Sequence, residues 1–166
     1  MTLTLLIMRH TKSSWGDASL DDFDRPLNGR GRKSAVAVGQ WLRGRGYVPG
    51  DVVVSGARRT VDTWGLMAGQ FPGVPMRSEP ALYEAGAETI LGVVRRCNQT
   101  VTMIIGHNPG FAAFSRRIVK APPSHEKFGD YPTGATLAVR FGVADWSEVT
   151  WETGHAIDFV VPRELI

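Results

Sequence analysis

One cysteine, Cys97, stands among 166 residues. That excludes an internal disulfide framework and suits a reducing compartment. Long apolar runs are also missing. The opening stretch, residues 3–8, is about six residues long, too short for a membrane span or the core of a secretion signal. Charge of one sign is scarce: 19 Lys and Arg face 16 Asp and Glu, a net charge of +3. The densest basic cluster, GRGRKS at residues 29–34, is short and carries no interleaved aromatics, so no nucleic-acid partner is expected. The histidines at 10, 107, 125 and 155 have no metal-ligand spacing and Cys97 has no partner, so neither metal nor cofactor is expected. GRGRKS places Arg32 where a phosphate-binding loop needs glycine before Lys33, and no G-x-S-x-G elbow occurs. Without repeats, low-complexity tracts or linkers, residues 1–166 read as one domain, with no membrane partner and a cytoplasmic location expected.

What is present is an alternation of buried strands and amphipathic helices. Residues 3–8, 51–56 and 101–107 are short, nearly continuous apolar runs, which read as strands covered on both faces. Helical patterns fall over residues 31–45, 57–71, 87–97 and 110–120, with a loop rich in Asp, Gly and Pro over residues 16–31. After Pro122 and Pro123 the texture changes: TLAVRFG, SEVTWETG and IDFVVP read as strands close together in sequence. The expected fold is α/β, a three-layer sandwich whose mostly parallel sheet has an antiparallel edge and helices on both faces.

The three buried strands end in similar chemistry. The first runs into Arg9 and His10, the second into SGARRT with Arg58 and Arg59, and the third into GHNPG with His107. Carboxyl ends of parallel strands share one edge of the sheet, where ligands of such sheets bind. Two imidazoles and at least two guanidiniums would meet there with no carboxylate at the floor. An anion with several oxygens is the matching guest, and a guanidinium fork meets phosphate bidentately. Each piece alone has an ordinary structural reading; their recurrence at three equivalent places makes the site.

These same stretches carry a resemblance. LLIMRHTKSSW, SGARRTVDTW and GHNPG, together with DFDRPLNGRGRKSA, YPTGATLAVRF and PRELI, occur in order over nearly the whole chain. They resemble the histidine phosphatase superfamily and, within it, the SixA-like phosphohistidine phosphatase branch. The resemblance implies a phosphoglycerate-mutase-like fold and a phosphatase that needs no metal. It makes His10 the nucleophile, phosphorylated during turnover, with Arg9 and Arg59 holding phosphoryl oxygens and His107 completing the pocket. Arg59, not Arg58, matches because it lies four residues after Ser55. Glu84, in ALYEAG, falls where many members carry a proton donor; the acidic residues of 17–24 are the rival source. Thr11 stands where the family usually has Gly or Ala, narrowing the pocket and adding a hydroxyl to the substrate site. Arg25 is read as either a loop-fixing or a substrate-rim residue, and Trp15 as the tryptophan able to touch substrate. The implied partner is a phosphorylated protein bearing phosphohistidine. The alternatives are a small phosphometabolite, handled by a phosphatase or a mutase-like transferase, and a phosphate-binding protein without catalysis.

Overall fold

A computed structural model describes residues 2–166. Six strands form one sheet in the order β3-β2-β4-β1-β5-β6, with β1 Leu3–Arg9, β2 Asp51–Val54, β3 Met76–Ser78, β4 Val101–Gly106, β5 Thr136–Phe141 and β6 His155–Val160. The pairs β1/β4, β2/β4 and β2/β3 are parallel, whereas β5 runs antiparallel to β1 and β6 antiparallel to β5. The helices are α1 Gly29–Gly44, α2 Arg58–Met67, α3 Ala87–Arg95 and α4 Gly110–Ile118. The expected mostly parallel sheet with an antiparallel edge is therefore observed.

The period of two along each strand divides the core. Leu5, Ile7, Val53 and Ile104 face the layer that holds Ile90, Val94, Phe111 and Phe114 of α3 and α4. Leu6, Met8, Val52, Val54, Met103 and Ile105 face the opposite layer, with Ala35, Val38 and Leu42 of α1 and Trp64 and Met67 of α2. Strands buried on both faces must be apolar at successive positions, as residues 5–8 and 52–54 are.

Two readings need correction. SEVTWETG is not a strand. A 3-10 turn at Trp146–Glu148 takes its first two residues: Trp146, just before the stretch, is buried and donates from Nε1 to the Gln99 carbonyl at 2.7 Å, and Asp145 accepts from the Ser147 backbone N–H at 2.8 Å. A buried indole tied to a loop carbonyl and an Asx cap favour a turn over an extended ladder. The second is β3, which the apolar pattern gave no sign of, because Met76, Arg77 and Ser78 are all exposed. The other boundaries shift by a few residues at the ends.

One close approach ties the fold to the site. Gly31 lies on the first turn of α1, and a Cβ there would overlap the backbone carbonyl of Lys12. The Asn28 side chain caps this turn by accepting from the Gly31 N–H at 2.8 Å, and the Asn28 N–H donates to Lys12 O at 3.0 Å. Glycine at 31 thus lets α1 press directly on the loop that follows His10.

Candidate active site

β1 lies between β4 and β5, so the chain leaving it at Arg9 is held from both sides. Its last strand residue donates to Ala135 O at 3.1 Å, and the His10 N–H donates to Gly106 O at 3.0 Å. Gly134 N–H closes the same corner on His10 O at 2.9 Å. His10 is therefore fixed at the strand end by main-chain bonds alone. Its Nδ1 lies 2.6 Å from Thr11 O. A carbonyl only accepts, so Nδ1 carries the hydrogen and Nε2 keeps the lone pair.

A cavity of about 350 Å³ opens over this ring, lined by Arg9, His10, Arg59 and His107, with Lys12, Ser13, Trp15, Arg25, Asn108 and Thr133 around them. No carboxylate lines it. The rings of His10 and His107 are 5.3 Å apart. Burial, with lesser help from His107, Arg59 and Arg9, pushes His10 down to about 3; burial and then Arg59 push His107 down to about 4. Both imidazoles are neutral at physiological pH. His107 Nε2 sits 2.8 Å from Ser55 Oγ, which accepts from the Ala57 N–H at 3.3 Å. Three buried polar atoms at this site have no partner: Arg9 Nε, Arg59 Nε and His107 Nδ1. An oxyanion in the cavity would meet these donor-rich groups.

The two arginines of SGARRT separate in space. Arg59 is buried and lines the cavity, whereas the Arg58 side chain is 56 % exposed and pairs with Asp62 at 3.4 Å one turn along α2. Arg9 lines the cavity and donates from Nη1 to Tyr131 O at 3.3 Å. Arg25 is buried at the rim. It donates to Ser13 Oγ at 2.7 Å and Ser14 O at 3.1 Å, and its guanidinium lies 3.5 Å over the Trp15 ring. It both fixes the loop and lines the cavity.

Two other candidates lie elsewhere. Thr11 is fully buried and absent from the cavity wall. Its N–H donates to Thr63 Oγ1 at 3.2 Å, its hydroxyl is 3.3 Å from the same atom, and Thr63 donates in turn to Arg59 O at 2.6 Å. The expected substrate contact by the Thr11 hydroxyl is replaced by a tie between the His10 loop and the helix that carries Arg59. Glu84 is exposed, in left-handed backbone at φ 57°, and does not line the cavity.

The loop of residues 17–24 contributes a residue that the sequence only named as acidic. Asp22 accepts from Arg59 Nη2 at 3.0 Å with Oδ2, and its carbonyl takes Arg59 Nη1 at 2.7 Å. Its other oxygen accepts from Arg25 Nε at 3.1 Å. Tyr83 donates its hydroxyl to Oδ2 at 2.7 Å, and its ring stands edge-on to His107 at 5.5 Å. The Tyr83 hydroxyl first, then Arg59 and Arg25, hold the Asp22 carboxyl at about 2. A group so acidic is a carboxylate at every working pH; it aims guanidiniums and does not deliver protons. Its signal in the sequence was its place in DDFDRP, but nothing there singled it out from Asp17, Asp21 or Asp24.

Comparison with known proteins fits this geometry. The family model of the histidine phosphatase superfamily (branch 1) matches residues 5–96, which hold Arg9, His10 and Arg59. An uncharacterized protein of Mycobacterium tuberculosis is 31% identical over 165 residues, covering 94% of this chain and all of that one. An uncharacterized chloroplastic protein of Arabidopsis thaliana is 32% identical over 119 residues, 64% of this chain, and this chain spans about half of its length (55%). Among solved structures, a protein assigned as the phosphohistidine phosphatase SixA of Nakamurella multipartitia superposes with a TM-score of 0.80 at 28% identity, over 98% of this chain and 97% of that one. The family match covers the first two strand ends and the structural match extends over the third, where His107 stands. Because the family model matches more than half of the described chain, and the mixed six-stranded sheet superposes on these solved structures, the chain belongs to the histidine phosphatase superfamily.

Proposed function

We propose that this protein is a phosphatase that works without a metal and removes the phosphoryl group from phosphohistidine on a protein, through a phosphohistidine of its own at His10. The observation that carries the reading is the state of His10: neutral, with Nδ1 spent on the Thr11 carbonyl, so that Nε2 offers a lone pair into a cavity lined by Arg9, Arg59 and His107. In the first step Nε2 attacks phosphorus and forms a P–N bond, while the P–N bond to the substrate imidazole breaks and the departing nitrogen takes a proton. In the second, water attacks phosphorus, inorganic phosphate leaves, and the electron pair returns to Nε2. The Nδ1–H bond to Thr11 O stabilises the positive ring at the intermediate, as an acceptor behind an imidazole does in a triad. The guanidiniums spread over the equatorial oxygens, where the transition state carries its charge.

Phosphohistidine suits the proton inventory of the cavity. An imidazole leaving group can be protonated before it departs and depends little on an enzyme acid, and no carboxylic acid lines the wall. Quenching the protein with substrate labelled in the phosphoryl group into alkaline detergent is expected to trap label on His10 as an acid-labile, alkali-stable phosphoramidate, absent from His10→Ala. Label on a serine or on Cys97 would refute the mechanism, and equal turnover by His10→Ala would refute the function.

A further inference from the structure

Beside the His10 cavity lies a second one of about 320 Å³, and the two share Lys12 and Thr133 in their walls. Lys12, Arg30, Lys127 and Arg163 line this neighbour, against a single carboxylate, Asp130. The excess of three positive charges equals the net charge of the whole chain, +3. The four cations come from separate parts of the sequence. Lys12 is on the loop after His10, Arg30 on the first turn of α1, Lys127 in the turns before β5, and Arg163 in the closing 3-10 turn Pro162–Glu164. None of them forms an ion pair among the described residues.

Resting on the phosphatase reading, we infer that this cleft receives acidic side chains of a protein substrate beside its phosphohistidine. The contrast with the His10 cavity selects carboxylates on a protein surface over a second phosphate of a small molecule. Arg59 and Arg25 are buried and held by hydrogen bonds, as a preorganised phosphate clamp requires. Lys12, Arg30 and Arg163 are exposed and unheld, which is how charges at the rim of a protein interface are presented. Such charges steer and select a complementary surface more than they tighten a small ligand. Lys12 joins the two cavities, so a substrate seated on His10 continues directly into the cationic cleft.

The test uses two synthetic peptides with one phosphohistidine each, flanked by Glu and Asp in one and by Gln and Asn in the other. Fluorescence anisotropy measures their binding to His10→Ala, and hydrolysis is followed with the wild type. The acidic peptide is expected to bind about tenfold more tightly at low salt, with a matching advantage in kcat/KM carried by KM, because complementary rim charges act on encounter and affinity. The advantage should disappear at about 0.5 M salt, where screening is nearly complete. It should also disappear when Arg30→Glu and Arg163→Glu are introduced together. Equal binding of the two peptides, or a preference that survives the double substitution, would overturn the inference. So would a proportional loss of phosphoramidate turnover in the double variant, which would place the defect at His10. A small bisphosphate that loses affinity in the double variant while the peptides stay equal would make the cleft a second phosphate site, again overturning it. If wild type hydrolyses p-nitrophenyl phosphate but neither peptide, the phosphohistidine reading fails, and the anisotropy comparison still decides the cleft.

Discussion

Replacing Asp22 by Asn keeps the side-chain shape and removes the charge that Arg59 and Arg25 share. The Asp22 side chain is 48 % exposed, so its ion pairs are solvent-screened and each is worth about 0–1 kcal/mol to folding. The Tm of Asp22→Asn should therefore move by only a few degrees, roughly. Catalysis should respond more. Arg59 Nη1 and Nη2 both end on Asp22, and a charged clamp misplaced by about 1 Å costs on the order of 10²-fold. Removing the clamp altogether, in Arg59→Ala, should cost about 10²–10³, as for a lost oxyanion donor. Asp22→Asn is thus expected to lower kcat by about 10–100-fold with KM little changed. In the double variant the rate should equal that of Arg59→Ala alone, since an aiming residue has nothing left to aim. Steady-state kinetics of the four proteins with phosphoramidate read the cycle. Multiplicative losses, an unchanged rate, or a faster Asp22→Asn enzyme would each refute the reasoning. The last would mean that Asp22 competes with substrate for Arg59.

Much of this site was legible because strand ends are legible. Residues 5–8, 52–54 and 103–105 are apolar at successive positions, so each run announces a two-faced strand, and the polar residues that follow it are placed at one sheet edge by topology. Arg9, His10, His107 and the pair Arg58 and Arg59 were reachable that way, and only the family resemblance, through the spacing from Ser55, favoured Arg59 over Arg58. What could not be read was contact between loops. Asp22 reaches Arg59 across 37 residues of sequence and Tyr83 reaches Asp22 across 61, and no local periodicity encodes such pairs. Thr11 follows His10 directly in the sequence, but side chains alternate along extended chain, and its hydroxyl turns inward to Thr63. SEVTWETG shows the opposite failure. Its β-branched and aromatic residues match a strand by composition, while the buried indole of Trp146 and the Asx cap of Asp145, both just before it, start it as a turn.

Arg59→Ala should lose at least about 10²-fold in kcat/KM, whereas Arg58→Ala, deprived only of an exposed pair with Asp62, should stay within about threefold; similar losses would mean that the helix start is misread. Stability should fall as pH drops from 6.5 towards about 4, because the unfolded chain then takes up protons that buried His10 and His107 refuse. Thermal melts at pH 7 and pH 5 should show a smaller acid loss for His10→Asn than for wild type, and an equal loss would be the contrary result. The remaining prediction concerns Glu84. A general acid must reach the leaving atom, directly or through one water, and is worth about 10²–10⁴ where the leaving group is an alkoxide. Glu84 is exposed, outside the cavity wall, and held in a left-handed turn that precedes α3. If that position is its working one, Glu84→Gln should leave hydrolysis of phosphohistidine, aryl phosphates and alkyl phosphates within about twofold of wild type. The wild type itself should then be slow on alkyl phosphates, since no carboxylic acid lines the wall and Asp22 stays ionised down to about 2. A selective collapse of alkyl phosphate turnover in Glu84→Gln, with phosphohistidine spared, would show that the loop of Tyr83 and Glu84 swings inward over bound substrate and that Glu84 supplies the proton after all.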